Sequence, residues 1–257
     1  MAALALGPAA DTVYGGDMDI IATRLSDFCH SCSVRNRAIC GGLHDDEIAL
    51  LNNIGRRRTL RAGEQLSWEG DEAVLVANVI DGVLKLSTLT SDGREQILGL
   101  SYSSDFLGRP FGQTTPYDVE ALTDAQVCVF QRAEFDRFAR EHPQLEHKLL
   151  ERTLTELDRT RKWMLMLGRM NAEQKLASFL LELSSRLAPG DCSSDDDALQ
   201  SIELPLSRQQ IADVLGLTIE TVSRQIAKFR RDGLIDAPSR RQVTILDREK
   251  LEDRAVC

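Results

Sequence analysis

From residue 55 to 132 the chain alternates apolar and polar positions in short runs, cut at close intervals by turn residues. RRTLRAGEQLSWEGDEAVLVANVIDGVLKLSTLTSDGREQILGL has such turns at Ala62-Gly63, Glu69-Gly70-Asp71, Asp81-Gly82 and Ser91-Asp92-Gly93. Period-two alternation between closely spaced turns predicts the strands of a compact antiparallel barrel or roll. DVEALTDAQVCVFQ supplies the last pair, with Cys128 among the apolar residues of the final strand. The period then lengthens. A helical pattern runs from about Glu134 to Arg169, with a break expected near His142-Pro143 because proline ends or kinks a helix. Leu150, Leu157 and Met164 recur every seven residues, with Leu154 at the intervening position, which is the seam of a coiled coil. Arg161 and Gly168 fill the other intervening places and pack poorly. The helix is therefore expected to pair with a second copy of the chain, weakly along its lower half.

A further helix is expected over 171–187, opened by Asn171 with Gln174 three residues on and closed by Pro189-Gly190. The acidic, serine-rich DCSSDDDA at 191–198 reads as a solvated loop. After it, LPLSRQQIADVLGLTIETVSRQIAKFRRDGLIDAPSRRQVTIL gives two short helices around a glycine turn. Ser207 caps the first, with Ile211, Val214 and Leu215 as its apolar face. Gly216 makes the turn, and Thr218 caps a second helix burying Ile219, Val222, Ile226 and Phe229. This is a helix-turn-helix followed by a two-stranded wing with arginines at its tip. Glu220, Ser223 and Arg224 lie near the start of the second helix, where base edges are read. Arg suits guanine, Glu suits cytosine N4 and Ser suits either role. Ser207, Arg208, Gln209, Thr218, Lys228, Arg240 and Arg241 are expected at phosphates, where they add affinity without sequence information.

Charge changes this picture little. The chain carries −9 overall, which alone argues against a polyanion partner. From Ser207 to Arg248, however, eight basic residues face five acidic ones, so this end is the basic end. No apolar run approaches the roughly 20 residues of a membrane helix. The first residues lack the positive start of a secretory signal, and residues 1–18 read as unstructured. A cytoplasmic protein with reduced thiols is expected. No nucleophile–base pairing or phosphate-cradling glycine loop points to an enzyme.

DFCHSCSVRNRAICGGL, residues 27–43, carries Cys29, Cys32 and Cys40. Three close thiols suggest most of a metal site, and zinc uses Cys-x2-Cys as freely as iron does. A fourth ligand has three candidates in Cys128, Cys192 and Cys257. Arg35 and Arg37 are the positive neighbours available to depress thiol pKa values.

The order roll, long helix, winged helix-turn-helix resembles the CRP/FNR family of bacterial transcription regulators. AGEQLSWEGD, DGVLKL, DFLGRPFG and LSRQQIADVLGLTIETVSR carry the resemblance. It implies an α+β chain with an N-terminal extension bearing the cysteines (1–43), a cyclic-nucleotide-binding-like antiparallel β-roll (44–140), a dimerisation helix (141–170) and a winged helix-turn-helix DNA-binding domain (171–257). The ETVSR motif at 220–224 is similar to that of the FNR class, whose half-site is TTGAT, making Glu220, Ser223 and Arg224 the base readers. By the same resemblance Cys29, Cys32, Cys40 and Cys128 hold a [4Fe–4S] cluster, with Cys192 and Cys257 as spare thiols and His30 not a ligand. The spacing departs from the best-known FNR pattern, having seven residues before the third cysteine instead of five. Cyclic AMP is not expected, because Gly108-Arg109 and Pro116-Tyr117 stand where that branch has Gly-Glu and Arg-Ser. Arg109, Pro110 and Phe111 resemble the turn presented to RNA polymerase. The implied protein is an oxygen-responsive homodimer that binds a palindrome when the cluster is intact. The alternative is constitutive DNA binding around a structural four-cysteine zinc site.

Overall fold

The computed structural model describes residues 29, 31–187 and 200–256. The expectations for residues 1–18, His30, the acidic loop, Cys192 and Cys257 lie outside the described residues. Turns over 31–38 lead into a short 3-10 helix, Ile39–Gly42, and then into α1 (Asp45–Ile54). Three acidic residues in the first turn of α1 complement its positive end, and the Glu47 carboxylate accepts from the His44 N–H at 2.8 Å.

Eight strands follow: β1 (Gly55–Leu60), β2 (Gln65–Ser67), β3 (Leu75–Asp81), β4 (Leu84–Leu89), β5 (Glu95–Ser101), β6 (Phe106–Leu107), β7 (Asp118–Ala121) and β8 (Ala125–Gln131). They form two antiparallel four-stranded sheets, ordered β1-β8-β3-β6 and β2-β7-β4-β5. This is the expected roll. Its interior takes Leu60, Ala77, Val79, Leu84, Val119 and Val127. Side chains alternate along a strand, so Val76, Asn78 and Ile80 of β3, with Cys128 and Phe130 of β8, lie on the other face of the first sheet. The lead-in and α1 cover that face, packing Ile39, Ile48 and Leu51 around Val76 and Phe130.

The helical region breaks where proline required it. α2 (Arg132–Glu141) ends at His142, and Pro143 opens α3 (Pro143–Arg169) at a position where its missing N–H costs nothing. Only Leu145 and Met166 of the 27 residues of α3 are buried. Leu150, Leu154, Leu157 and Met164 remain 42–69% exposed, an unpartnered apolar stripe along a helix about 40 Å long. On its other side Leu145 and Leu149 pack against Ile39 and Leu43 of the lead-in.

α4 (Ala172–Leu187) begins with the expected reciprocal cap. Asn171 Oδ1 accepts from the Gln174 N–H at 3.1 Å, and Gln174 Oε1 accepts from the Asn171 N–H at 3.0 Å. The wing holds three strands where two were expected: β9 (Gln200–Glu203), β10 (Ile235–Asp236) and β11 (Gln242–Ile245), ordered β10-β11-β9. The strand unread in the sequence is four residues long and abuts the acidic run, so its alternation was too brief to register. A closing helix, α7 (Arg248–Ala255), follows the helix pair α5 (Arg208–Leu215) and α6 (Ile219–Arg231). Val83, Ile97 and Tyr102 of the roll enter the same buried cluster as the core of this C-terminal unit. Gln96 Nε2 also donates to the Asp213 carbonyl at 2.9 Å, and Arg186 of α4 pairs with Asp105 of the roll.

Candidate functional site

Cys29, Cys32 and Cys40 from the lead-in and Cys128 from β8 line one cavity of about 310 Å³. Cys128 is drawn in by strand register, opposite Arg57 of β1 and Asn78 of β3. Gly55 lets β8 approach, since a Cβ there would lie 2.9 Å from the Phe130 ring and 3.4 Å from Cys128 Sγ. All four are free, half-buried thiols. Burial, with neighbouring thiols adding to it, pushes Cys40 and Cys128 up to about 12, and burial also raises Cys29. Arg35 acts in the opposite sense on Cys29 and Cys40, and Arg57 on Cys29 and Cys128. Arg37, paired with Arg35 in the sequence reading, is exposed and borders a different cavity; Arg57 from β1 takes that place. Cys29 Sγ donates to Asn52 Oδ1 at 3.1 Å, and Asn78 Nδ2 donates to Cys40 Sγ at 3.7 Å.

The donor set is soft. Among the described residues no carboxylate or imidazole lines the cavity, and Arg35, Arg56 and Arg57 are part of its lining. Among the described residues no three His, Cys, Asp or Glu side chains converge as they do around one metal ion. A tetrahedral zinc needs its sulfurs about 2.3 Å from a common point. Thiolate-ligated iron clusters use four cysteines around a larger inorganic core, and the chemistry of these four thiols suits that donor set.

The second site is the basic end. Ser207 Oγ accepts from the Gln210 N–H at 3.2 Å while Gln210 Oε1 accepts from the Ser207 N–H at 2.8 Å, fixing the start of α5. Gly216 takes a left-handed φ of 61° at the turn, and Thr218 Oγ1 caps α6 by accepting from the Thr221 N–H at 3.3 Å. Val222, Ile226 and Phe229 are buried as expected, whereas Ile219 stays 38% exposed at the first turn, where no core lies beneath it. Glu220, Ser223 and Arg224 are exposed together on the outer face. The Glu220 N–H and the Thr218 hydroxyl hold the Glu220 carboxyl below its usual range. The side chains of Ser223 and Arg224 make no hydrogen bond or ion pair with described residues.

The expected phosphate contacts divide. Arg208 is half-buried with Nη1 unpartnered, and burial together with nearby Arg240 lowers its pKa, so two cations share a place where no anion among the described residues acts on Arg208. Lys228 instead pairs with Glu173 of α4 at 2.6 Å, and Arg241 Nη1 donates to the Pro205 carbonyl at 3.0 Å. Gln209 Nε2 donates to Asp213 Oδ1 at 2.8 Å. The Lys228 and Arg241 pairings were invisible in the sequence because their partners lie on other elements, whereas Gln209 and Asp213 are four residues apart on α5, a spacing the sequence does carry.

Arg109, Pro110 and Phe111 form a surface turn. Phe111 has a φ of 59° and is half exposed, its N–H donating to Asp136 Oδ1 at 3.2 Å and its ring under the Arg140 guanidinium at 5.5 Å. Arg109 is exposed, while Tyr117 lines a cavity of about 440 Å³ between roll and α3, whose Asp105 is engaged by Arg159 and Arg186. No helix among the described residues is long and apolar enough to cross a membrane.

Comparison with known proteins agrees with this architecture. Residues 57–142 match the model of the cyclic nucleotide-binding domain, and residues 174–254 match that of the Crp-like helix-turn-helix domain. The transcriptional activator protein FnrL of Cereibacter sphaeroides is 41% identical over 88% of this chain and 91% of its own. The nitrogen fixation regulation protein FixK of Bradyrhizobium diazoefficiens is 39% identical over 88% and 92%. The solved structure of FixK2 from Bradyrhizobium japonicum superimposes with a TM-score of 0.71 at 31% identity, covering 79% of this chain and 98% of that one. With its roll, long helix and winged helix-turn-helix, the chain belongs to the CRP/FNR family of DNA-binding transcription regulators.

Proposed function

We propose that the chain is an oxygen-responsive transcriptional activator in which Cys29, Cys32, Cys40 and Cys128 hold a [4Fe–4S] cluster. The observation that carries this reading is the shared cavity, which joins three lead-in thiols to one strand thiol with no hard donor among them. When bound, the group supplies a centre that oxygen can degrade. Cys29, Cys32 and Cys40 then fasten the lead-in to Cys128, and Arg35 and Arg57 offset the thiolate charge.

Fastened, Ile39 and Leu43 brace Leu145 and Leu149, and so hold α3 where Leu150, Leu154, Leu157 and Met164 meet a second copy. Two recognition helices one helical turn apart read a palindrome. Glu220, Ser223 and Arg224 contact the bases of TTGAT-type half-sites, and Arg208 with Arg240 receives phosphate. The rigid turn at Arg109, Pro110 and Phe111 contacts RNA polymerase. The roll takes no cyclic nucleotide, since Gly108-Arg109 and Pro116-Tyr117 replace the carboxylate and arginine of that branch, and the Asp105 carboxylate in the cavity that Tyr117 lines is already engaged by Arg159 and Arg186.

Anaerobic purification, with iron, sulfide and zinc analysis and a visible spectrum, tests this directly. A brown sample that bleaches in air and loses its TTGAT-site complex supports it. A colourless, zinc-containing sample that binds DNA equally in air sinks it.

A further inference from the structure

Strand β3 sends Val76, Asn78 and Ile80 to the face covered by the lead-in, and Asn78 alone of the three is polar. It is only 2% exposed. Its Nδ2 donates to Cys40 Sγ at 3.7 Å, and it stands opposite Cys128 in the β3–β8 ladder. One amide thus borders one ligand from each of the two elements that the thiol cavity joins. Its Oδ1 is buried and has no partner. Val34, Ala38 and Ile80 beside this place are apolar.

For holding the fold together this is a poor arrangement. A buried amide with one sulfur acceptor and an orphaned carbonyl is less stabilising than an aliphatic side chain filling the same space. The arrangement makes sense once Cys40 is a thiolate, because an N–H donated to an anionic acceptor is markedly stronger than one donated to a neutral thiol.

We propose that Asn78 is a positioning residue for the cluster thiolate of Cys40, and that its N–H···S bond slows the loss of the cluster to oxygen. This rests on the iron–sulfur reading given above. Hydrogen bonds to cluster sulfurs withdraw charge and favour the more reduced core. Oxidation would run the other way, with one electron passing from the bound group to dioxygen, which would leave as superoxide. A donor on Cys40 therefore opposes the first electron transfer.

The test uses the full chain, loaded anaerobically with ferrous iron and sulfide, in three forms: native, Asn78→Val and Asn78→Ser. Valine suits a strand and removes the donor, while serine keeps a small one. The readouts are iron content, midpoint potential, visible spectrum and the rate of bleaching in air-saturated buffer. Removing partners of this kind typically changes metal-site properties by 10–100-fold, so the valine form is expected to bleach about tenfold faster with a more negative potential, and the serine form to fall between. Without iron, the valine form is expected to unfold in urea at or above the native midpoint.

A brown native chain whose valine form matches it in potential and bleaching overturns this proposal alone. So does a lowered urea midpoint with unchanged potential in both variants, which would make Asn78 a strand residue only. A native chain that takes up no iron overturns this proposal together with the reading beneath it.

Discussion

Replacing Leu154 with alanine probes whether the exposed stripe on α3 is a dimer seam. Leu150, Leu154, Leu157 and Met164 are 56%, 53%, 42% and 69% exposed in the single chain, about two whole side chains of apolar surface. Full burial of such a side chain yields about 1.5–3 kcal/mol, so closing the seam yields roughly 3–7 kcal/mol from each protomer. Association costs about 4–15 kcal/mol in lost motion. These magnitudes nearly cancel, and a dimer resting on this stripe sits close to its dissociation threshold. The half-buried Leu154 contributes about 1 kcal/mol per copy by the same scale. Leu154→Ala should therefore cost the dimer about 2 kcal/mol, which is about a thirty-fold weaker association.

The monomer should be indifferent, since the side chain is exposed and alanine is the best helix former. Sedimentation of the anaerobic, iron-loaded chain over a concentration series measures the dissociation constant, with far-ultraviolet circular dichroism as the control for folding. An unchanged constant with unchanged helicity would refute the seam. Arg161→Leu should move the other way. Arg161 pairs with its own neighbour Asp158 at 3.1 Å, and leucine there completes the heptad and should keep the dimer together in air.

Three further outcomes follow from the same geometry. Arg224→Ala should cost about 1–3 kcal/mol of DNA affinity and relax discrimination at one base pair, whereas Arg208→Ala should weaken all sequences alike and reduce the salt slope by about 1, both measurable by titrations at several salt concentrations. The metal-free chain should lose stability as pH rises. Cys40 and Cys128 hold their protons up to about 12 when folded and have an ordinary value of 9.0, so the folded state binds more protons between those limits. The loss should reach at most about 3 kcal/mol per pH unit, and urea midpoints at pH 8 and 10 that coincide would contradict it. Gly55→Ala should destabilise the chain by about 1–3 kcal/mol and reduce iron uptake, because its methyl meets the Phe130 ring at 2.9 Å; iron analysis and thermal unfolding report the two effects separately.

Much of this architecture was legible in the chain because its signals are local. Turn glycines marked the strands of the roll, Pro143 marked the break between α2 and α3, and Ser207, Gly216 and Thr218 marked the recognition unit residue by residue. What escaped depends on partners distant in sequence. Nothing near Lys228 announces Glu173, and nothing near Cys40 announces Asn78, since both pairings exist only once separate elements pack. Arg57 was missed as a neighbour of the thiols for the same reason, while Arg37, adjacent in sequence, turned elsewhere. β9 and α7 are short elements at the edges of the C-terminal unit, held by packing more than by pattern. Ile219 failed differently: helical period assigned it to the buried face, but the first turn of α6 projects past the core.

Leu149 and Leu150 are consecutive on α3, yet one packs on the lead-in and the next opens to the solvent side where a partner helix would lie. Successive residues on a helix are separated by about 100° around its axis. If the proposed function holds, a lead-in that shifts against Leu145 and Leu149 acts on α3 as a torque, rolling the exposed stripe toward or away from a second copy. Only two residues separate the end of α3 at Arg169 from the start of α4 at Ala172. Through so short a joint the same roll would swing two paired recognition helices out of phase with successive major grooves, so that the angle of one helix would set both pairing and reading.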